Sequence, residues 1–252
     1  MTGKDDLDRF KDLTFDDFRA MASDTSLSRH EKIGFPDDYR RGHELSILED
    51  IRSKLPSLDR PGAIAVDIGC GCGDLAELMM GHCSDRGVEL VLVDSQEMLA
   101  QLPGSELETR YPCRFPDCPE FLEGYGGRVD AVIVYSVLHS VFIDASIFDF
   151  LDAACLLLKD GGEILIGDIP NVSKRKRFLS SPAGAAFHKD FTGRDEEPEV
   201  HFIQLERRLI DDGVVMGIIA RYRGFGFDAY LLPQAVGLPM SNRREDILIR
   251  KP

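Results

Sequence analysis

Short apolar runs alternate with amphipathic stretches through the middle of this 252-residue chain. The runs are strand-length and bounded by turn residues, which predicts strands at 63–68, 89–93, 110–115, 129–134 and 163–167. Apolar residues at helical spacing predict helices at 75–82, 96–102 and 144–158. Alternation of strand and helix is typical of a parallel sheet that is covered on both faces.

The two ends of the chain extend this pattern. Amphipathic helices are predicted at 5–20 and 38–54, before the first strand. A helix is predicted at 211–223. The run at 227–232 then predicts a further parallel strand, and the run at 246–250 predicts a short antiparallel strand. We therefore expect a doubly wound α/β fold with a mostly parallel seven-stranded sheet. Residues 1–60 would form a helical extension, 61–252 the main domain, and about 171–200 an inserted lid that breaks the rhythm.

Composition narrows the possible partners. The formal net charge of -14 repels phosphate backbones, so nucleic acid is a poor candidate unless a local basic patch overrides it. No apolar run approaches the roughly 18 residues that cross a bilayer, so no membrane partner is expected. The first residues are acidic and polar, unlike a secretory signal, and the six cysteines do not suggest a disulfide framework. These features predict reduced thiols and a cytoplasmic protein.

The segment at 65–74, Ala-Val-Asp-Ile-Gly-Cys-Gly-Cys-Gly-Asp, carries the most specific signal. A buried strand runs into Gly69, Gly71 and Gly73, and a helix starts directly after them. Glycines at such a turn let the backbone bend tightly and approach a ligand closely. A dinucleotide fingerprint needs a small third residue where this chain has Asp74, which disfavours a nicotinamide cofactor. A tight strand-helix turn without a ligand is the alternative, which the three spaced glycines disfavour.

A second acid supports a nucleoside ligand. Asp94 ends the next strand about twenty residues beyond the glycines, where a carboxylate can accept both ribose hydroxyls. On its own, Asp94 would equally be a helix cap. The D-x-G-x-G-x-G pattern resembles the first motif of class I S-adenosylmethionine-dependent methyltransferases, whose ligand carries a sulfonium and an ammonium group that suit acidic surroundings.

That resemblance implies further cofactor contacts by order along the chain. They are Asp67, Gly69, Cys70, Gly71 and Gly73 in the turn, Asp94 and Ser95 at the ribose, Asp117 and Cys118 at the adenine, and Tyr135, Ser136 and Arg40 at the methionine part. For Asp117, a helix N-cap is nearly as good an interpretation.

Candidate acceptor residues are less specific. The run Lys174, Arg175, Lys176 and Arg177 follows the fifth strand, on the rim where this fold binds ligands, and could hold an anion rather than form a solvated face. The loop residue Arg243 should reach the same rim. Lys32 and Tyr39, in the N-terminal segment, could close over the pocket or belong to a capping turn.

Two further kinds of chemistry were weighed. His139 could accept a proton from the acceptor, although histidine at this place is common in similar enzymes without a catalytic role. Cys70, Cys72, His82 and Cys83 lack paired metal-ligand spacing, so no metal is expected.

These observations predict methyl transfer to an oxygen or nitrogen of a small anionic metabolite. Residues 31–41 and 241–246 resemble a bacterial group associated with surface-carbohydrate biosynthesis, which suggests an intermediate of such a pathway. The alternatives are a non-catalytic module that binds S-adenosylmethionine and a nicotinamide-dependent oxidoreductase. A homo-oligomer is compatible with the sequence.

Overall fold

One seven-stranded sheet organises the chain, of which the computed structural model describes residues 9–10, 12–104 and 108–252. The strands are β1 (Ile64–Ile68), β2 (Glu89–Asp94), β3 (Glu108–Pro112), β4 (Val129–Tyr135), β5 (Leu158–Pro170), β6 (Asp228–Pro233) and β7 (Arg244–Arg250). Their order is β3-β2-β1-β4-β5-β7-β6. Strands β1 to β5 pair in parallel, and β7 is antiparallel to both of its neighbours, so β6 runs in the direction of β5. The predicted mostly parallel seven-stranded sheet is confirmed.

Helices precede, connect and follow these strands. The first group is α1 (Phe15–Ser23), α2 (Arg29–Lys32), α3 (Asp37–Arg40) and α4 (Glu44–Lys54), followed by a 3-10 turn (Pro56–Asp59). The connecting helices are α5 (Asp74–Arg86), α6 (Gln96–Leu99), α7 (Pro119–Tyr125), α8 (Leu138–Asp144) and α9 (Ile147–Leu157). The last group is α10 (Val172–Leu179), α11 (Pro182–Thr192) and α12 (Asp212–Gly224).

Alternate side chains of each strand enter two separate cores, one on each face of the sheet. On one face Val66 of β1 packs in a cluster with Phe150 of α9 and Tyr222 of α12. On the other, its neighbour Ala65 belongs to the cluster of Ile51 in α4 and Met79 in α5. Because both faces are covered, β4 is buried along its whole length, as expected for a central parallel strand.

Three predicted helices have different bounds in the structure. The helix expected at 38–54 breaks at Gly42, whose φ of +86° does not continue a right-handed helix, and resumes at Glu44. Asp144 does not cap the next helix but ends α8, and the Ser146 side chain accepts from Asp149 N to cap α9 instead. The helix expected at 5–20 begins at Phe15; residues 1–8 and 11 lie outside the described residues.

The predicted state of the cysteines is wrong at one place. Cys113 and Cys118 form a disulfide across the loop that joins β3 to α7. The turn brings their Cα atoms to 6.0 Å, within the range that the bond requires, although five positions separate them along the chain. Cys70, Cys72, Cys83 and Cys155 are free thiols. Among the described residues, the helices are too short or too polar to cross a bilayer.

Candidate active site

A cavity of about 1140 Å³, including its open mouth, lies at the carboxyl ends of β1, β2 and β4. This is the edge at which doubly wound sheets bind ligands. The wall is mainly apolar: Phe15, Phe18, Ile33, Phe35, Leu75, Val93, Met98, Phe115, Val137, Val141 and Phe150. Among the predicted cofactor residues, it includes Asp67, Gly69, Cys70, Gly71, Gly73, Asp94, Tyr135, Ser136 and Arg40. The N-terminal segment therefore supplies one side of the cavity and the sheet supplies the other.

The glycine turn is packed too closely for any side chain. Gly71 has φ of +65°, and a Cβ there would lie 2.8 Å from Cγ2 of Ile33. At Gly69, which has φ of +75°, a Cβ would lie 2.5 Å from Cγ2 of Val137. Both contacts are shorter than van der Waals packing permits, so backbone conformation and space require glycine at both positions. The turn thus exposes backbone to the cavity at its glycines, together with Cys70.

Two carboxylates stand near the ends of β1 and β2, of which Asp67 is buried and Asp94 is partly buried. Asp94 accepts from Gly71 N at 2.8 Å and from Ser95 N at 2.6 Å, which ties β2 to the glycine turn. Burial raises the pKa of Asp94 to about 6, although these two hydrogen bonds act against it. Asp67 has no hydrogen-bond or ion-pair partner among the described residues. Burial, and secondarily the charge of Asp94, raise the pKa of Asp67 to about 7. This end of the cavity suits a cationic or hydroxyl-bearing ligand.

A serine, an arginine and an aspartate form a cluster that the sequence did not reveal as a unit. Ser136 follows β4 and Asp168 lies in β5; the Ser136 hydroxyl donates to Asp168 Oδ2 at 2.5 Å. Arg40 donates to the Ser136 hydroxyl and to Asp168 Oδ2, the latter at 3.2 Å. Both Ser136 (φ 62°) and Asp168 (φ 58°) occupy the left-handed region, which is costly for residues with a Cβ and concentrates at functional sites.

The cluster holds its charges in fixed positions. Arg40 is buried, and its guanidinium lies 4.2 Å from the centroid of the Phe35 ring. Burial acts to raise the pKa of Asp168, but Arg244, Arg40 and the Ser136 hydroxyl outweigh it and lower that pKa overall. Asp168 is therefore ionised. It was missed as a site residue, although an acid at the end of a buried strand is the same signal that identified Asp94.

His139, on the first turn of α8, is neutral over the physiological pH range. Burial, reinforced by the charge of Arg244, lowers its pKa to about 4. Its Nδ1 is buried without a hydrogen-bond partner. The neighbouring Ser140, whose hydroxyl is also buried and unpartnered, lines the cavity. The imidazole ring therefore has an unused nitrogen, although His139 itself is not among the residues that line the cavity.

Several predicted site residues lie away from the cavity wall. Ser95 caps α6 by accepting from Met98 N at 3.2 Å, and the Asp117 side chain is exposed to solvent. Cys118 is bonded to Cys113, which does line the cavity. Lys32 donates to Gln101 Oε1 at 3.1 Å. The two adenine candidates, Asp117 and Cys118, do not line the cavity themselves. Residues 113–115, beside the disulfide, are the part of this loop that reaches it.

The predicted basic run lies on α10, with Arg175 and Arg177 exposed and Lys174 and Lys176 partly buried, and three of its four cations are paired. Lys174 donates to the carbonyl of Arg244 at 2.7 Å and lies 3.9 Å from Glu245. Lys176 pairs with Glu206 at 3.2 Å. Arg177 pairs with Asp212. Three of the four cations thus have acidic partners distant in sequence, and Arg175 has none among the described residues. The anion-binding role of the run stays a prediction.

His30, Glu44 and Asp74 form the one group of potential metal ligands among the described residues. Their ligand atoms lie within 4.8 Å of one another beside the glycine turn. His30 Nε2 already lies 2.9 Å from Glu44 Oε1, and Asp74 pairs with Arg29 at 2.8 Å. We interpret the group as an ion-pair network that docks the N-terminal segment against α5.

The fold is found in solved structures of known activity. The plantazolicin methyltransferase BamL, in complex with a triazolic desmethylPZN analog and SAH, superposes with a TM-score of 0.58 over 94% of this chain and 97% of that one, at 14% identity. The N-methyltransferase NodS from Bradyrhizobium japonicum, in complex with SAH, gives 0.53 over 94% and 98%, at 12% identity. The CurJ carbon methyltransferase gives 0.52 at 16% identity, and this chain spans 64% of its length.

The sequence matches no protein-family model and no curated protein. At such low identities the structural likeness establishes the fold rather than the activity. The chain has the α/β fold of S-adenosylmethionine-dependent methyltransferases.

Proposed function

We propose that this protein binds S-adenosylmethionine and transfers its methyl group to an oxygen or nitrogen of a small anionic metabolite. The observation that carries the proposal is the pairing of a closely packed glycine turn with two carboxylates, Asp67 and Asp94, in one cavity. Structures of similar fold contain SAH, the demethylated product of that cofactor. When bound, the cofactor supplies a methyl group that its sulfonium charge has already made electrophilic.

The residues present fit this cofactor. Asp94 would accept the ribose hydroxyls, and Asp67 would face the cationic part, because its unpaired charge needs a positive partner. The glycine turn would bring backbone close to the ligand. Arg40 and Ser136, held by Asp168, would bind the carboxylate of the methionine part. Tyr135 and Cys70 would complete the wall around it.

The chain contributes position and a dry environment to the transfer. The apolar wall excludes water from the methyl group and the attacking atom, which is how most acceleration arises when the donor is already activated. His139 would accept the proton that the acceptor loses, because its ring is neutral and one nitrogen is unused. Helices α1 to α3 supply Phe15, Phe18 and Arg40 to the cavity, so we infer that they form a cap over it.

Other parts of the proposal have less support. The lid role of 171–200 rests on its two helices following β5 directly. A carbohydrate-pathway acceptor, a cytoplasmic location and a homo-oligomer rest on the sequence alone. A non-catalytic binding module is the main alternative, and a nicotinamide-dependent oxidoreductase is disfavoured by Asp74 at the start of α5, where a pyrophosphate would sit.

Thermal unfolding with each candidate ligand tests the proposal. We expect S-adenosylmethionine and SAH to raise the melting temperature in a concentration-dependent manner, because each binds only the folded state, and NAD to leave it unchanged. Transfer of labelled methyl to a metabolite extract then separates an enzyme from a binding module. Stabilisation by NAD alone would overturn the assignment.

A further inference from the structure

Two arginines, one on α10 and one in the loop before β7, have no acidic partner among the described residues. Arg175 lies on α10, between cations that are each paired with an acid, yet no carboxylate lies within ion-pairing distance of its guanidinium. Arg243 precedes β7 and likewise has no ion pair. In a chain of net charge -14, carboxylates are plentiful. Other described arginines, Arg207 and Arg208 among them, also lack an ion pair. Arg175 and Arg243 are distinguished by their position, because Asn171 accepts from Arg175 N at 2.9 Å and donates to the Arg243 carbonyl at 3.1 Å.

Arg243 is also partly removed from water. Its guanidinium lies 5.3 Å from the centroid of the Phe187 ring in α11. Its Nε is buried without a hydrogen-bond acceptor, and Oδ1 of the preceding Asn242 is buried without a donor. A buried, unsatisfied charged donor costs free energy. The two terminal nitrogens of Arg243 are not among the fully buried atoms and have no hydrogen-bond partner among the described residues, so they are available to an anion. Packing against Phe187 alone would not require Nε to remain unpaired.

The two guanidinium groups act on each other. Burial lowers the pKa of Arg243, and the charges of Arg244 and Arg175 lower it further, whereas the Tyr39 hydroxyl opposes them. Arg244 is compensated, because its Nε lies 3.7 Å from Asp168 Oδ1. The remaining positive charge is thus concentrated on Arg243 and Arg175, with the phenol of Tyr39 nearby.

Arg244 and Asp168 connect this charge to the cavity wall. Arg244, directly after Arg243, donates to the Asp168 carbonyl at 3.1 Å, and Asp168 accepts from Ser136 at the cavity wall. Two backbone hydrogen bonds hold Arg243. Its N–H donates to the Met240 carbonyl, and Asn171 N donates to the Arg243 carbonyl. The backbone of Arg243 is therefore held in a constrained loop, one residue before the contact of Arg244 with Asp168.

We propose that Arg243 and Arg175 form a subsite for a doubly charged tetrahedral oxyanion, a phosphate group carried by the methyl acceptor. Two guanidinium groups match two negative oxygens of such a group, whereas a single carboxylate would leave one of them uncompensated. The assignment to the acceptor rests on the proposed methyl transfer, but the oxyanion subsite itself does not. The proposed subsite replaces the predicted run of four cations with two residues, Arg175 from that run and Arg243 from the loop before β7.

Titration with inorganic phosphate at constant ionic strength tests the subsite without knowledge of the acceptor. We expect saturable binding to the full chain by calorimetry, weaker binding of acetate, and no saturation with chloride. Arg243→Gln and Arg175→Gln should each weaken phosphate binding about tenfold, because each removes a charge-assisted contact. Arg177→Gln is the matched control: it removes the same charge from the same helix, but Arg177 is paired with Asp212, so phosphate binding should be unchanged.

Each result has a defined consequence. Phosphate binding that is absent from the wild type, unaffected by either substitution, or reduced equally by Arg177→Gln would overturn the subsite. If Arg243→Gln fails to fold, the exposed Arg175→Gln decides the matter by the same titration. SAH affinity is measured for every variant and should stay unchanged. If the wild type does not bind SAH, the proposed function is refuted, but the phosphate result still stands.

Discussion

At the scale of single residues, the two carboxylates of the cavity behave differently from ordinary surface acids. The pKa of Asp94 is raised from 3.8 to about 6 and that of Asp67 to about 7. Between about pH 4 and 7 the folded protein therefore holds protons that the unfolded chain has released. Their contribution to the free energy of unfolding falls as the pH rises through this window and is constant above it. This loss of stability arises from the two acids that the ligand would meet in their ionised form.

Ligand affinity should follow the opposite trend. Ribose hydroxyls are best accepted by an ionised Asp94, so we expect SAH affinity to fall as the pH is lowered from 8 to 5, most steeply near pH 6. Asp94→Asn should lose the part of this dependence centred near pH 6, keep the part that Asp67 contributes near pH 7, and bind SAH about 1–3 kcal/mol more weakly at pH 8. Calorimetry across the pH range measures both. Affinity that is independent of pH in the wild type would remove Asp94 from the ribose site.

At the scale of elements, the turn between β1 and α5 depends on the N-terminal segment that covers it. Ile33, which follows α2, contacts the turn so closely that a Cβ on Gly73 would lie 2.7 Å from its Cδ1. Val137, just before α8, closes the turn from the other side at Gly69. The turn is thus shaped by two segments distant in sequence, and it is the place where a small change should have a large effect.

Gly71→Ala should destabilise the fold by about 1–3 kcal/mol, because alanine is strained at φ of +65° and its Cβ would clash with Ile33. SAH binding should be lost with it. Gly81→Ala is the control: this glycine lies inside α5 with no atom within 4 Å of the added Cβ, so stability should rise by about 0.5–1 kcal/mol. Urea denaturation measures both variants. Equal stability of the two would mean that the turn is not closely packed.

At the scale of the whole molecule, buried ion pairs join the N-terminal helices to the sheet. Lys54, at the end of α4, lies 2.5 Å from Asp50 and 2.7 Å from Asp246 of β7. The Asp246 side chain is 0% exposed. Arg40 and Asp168 form a second such link. The N-terminal helices are therefore held to the antiparallel side of the sheet as well as to the cavity.

Lys54→Met should lower the free energy of unfolding by about 3–5 kcal/mol, because it leaves Asp246 buried and uncompensated. Arg86→Met is the control; its guanidinium is 52% exposed and 3.6 Å from Asp59, so less than about 1 kcal/mol should be lost. Denaturant titration of both variants distinguishes a buried link from a surface pair. A loss at Lys54 as small as that at Arg86 would show that the acids lie in contact with water.

The sequence alone determined the sheet and the glycine turn, because both depend on local signals. Strand-length apolar runs specify strands wherever both faces are covered, and a glycine at a left-handed position is visible in the sequence itself. The acids at the ends of β1 and β2 follow from the same pattern. Helix bounds were less well predicted where a single residue decides them, as at Gly42 and Ser146.

Only the tertiary structure decided which charges remain free and which polar groups meet. Ser136 and Asp168 are 32 positions apart and Arg40 lies 128 positions before Asp168, so no local pattern could group them. Arg177 and its ion-pair partner Asp212 are likewise 35 positions apart, so no local pattern could pair them. A run of basic residues in the sequence shows only how many cations are present. The pairing of those cations depends on which acids the fold places within a few ångströms, since electrostatic interaction falls with distance in space and not along the chain.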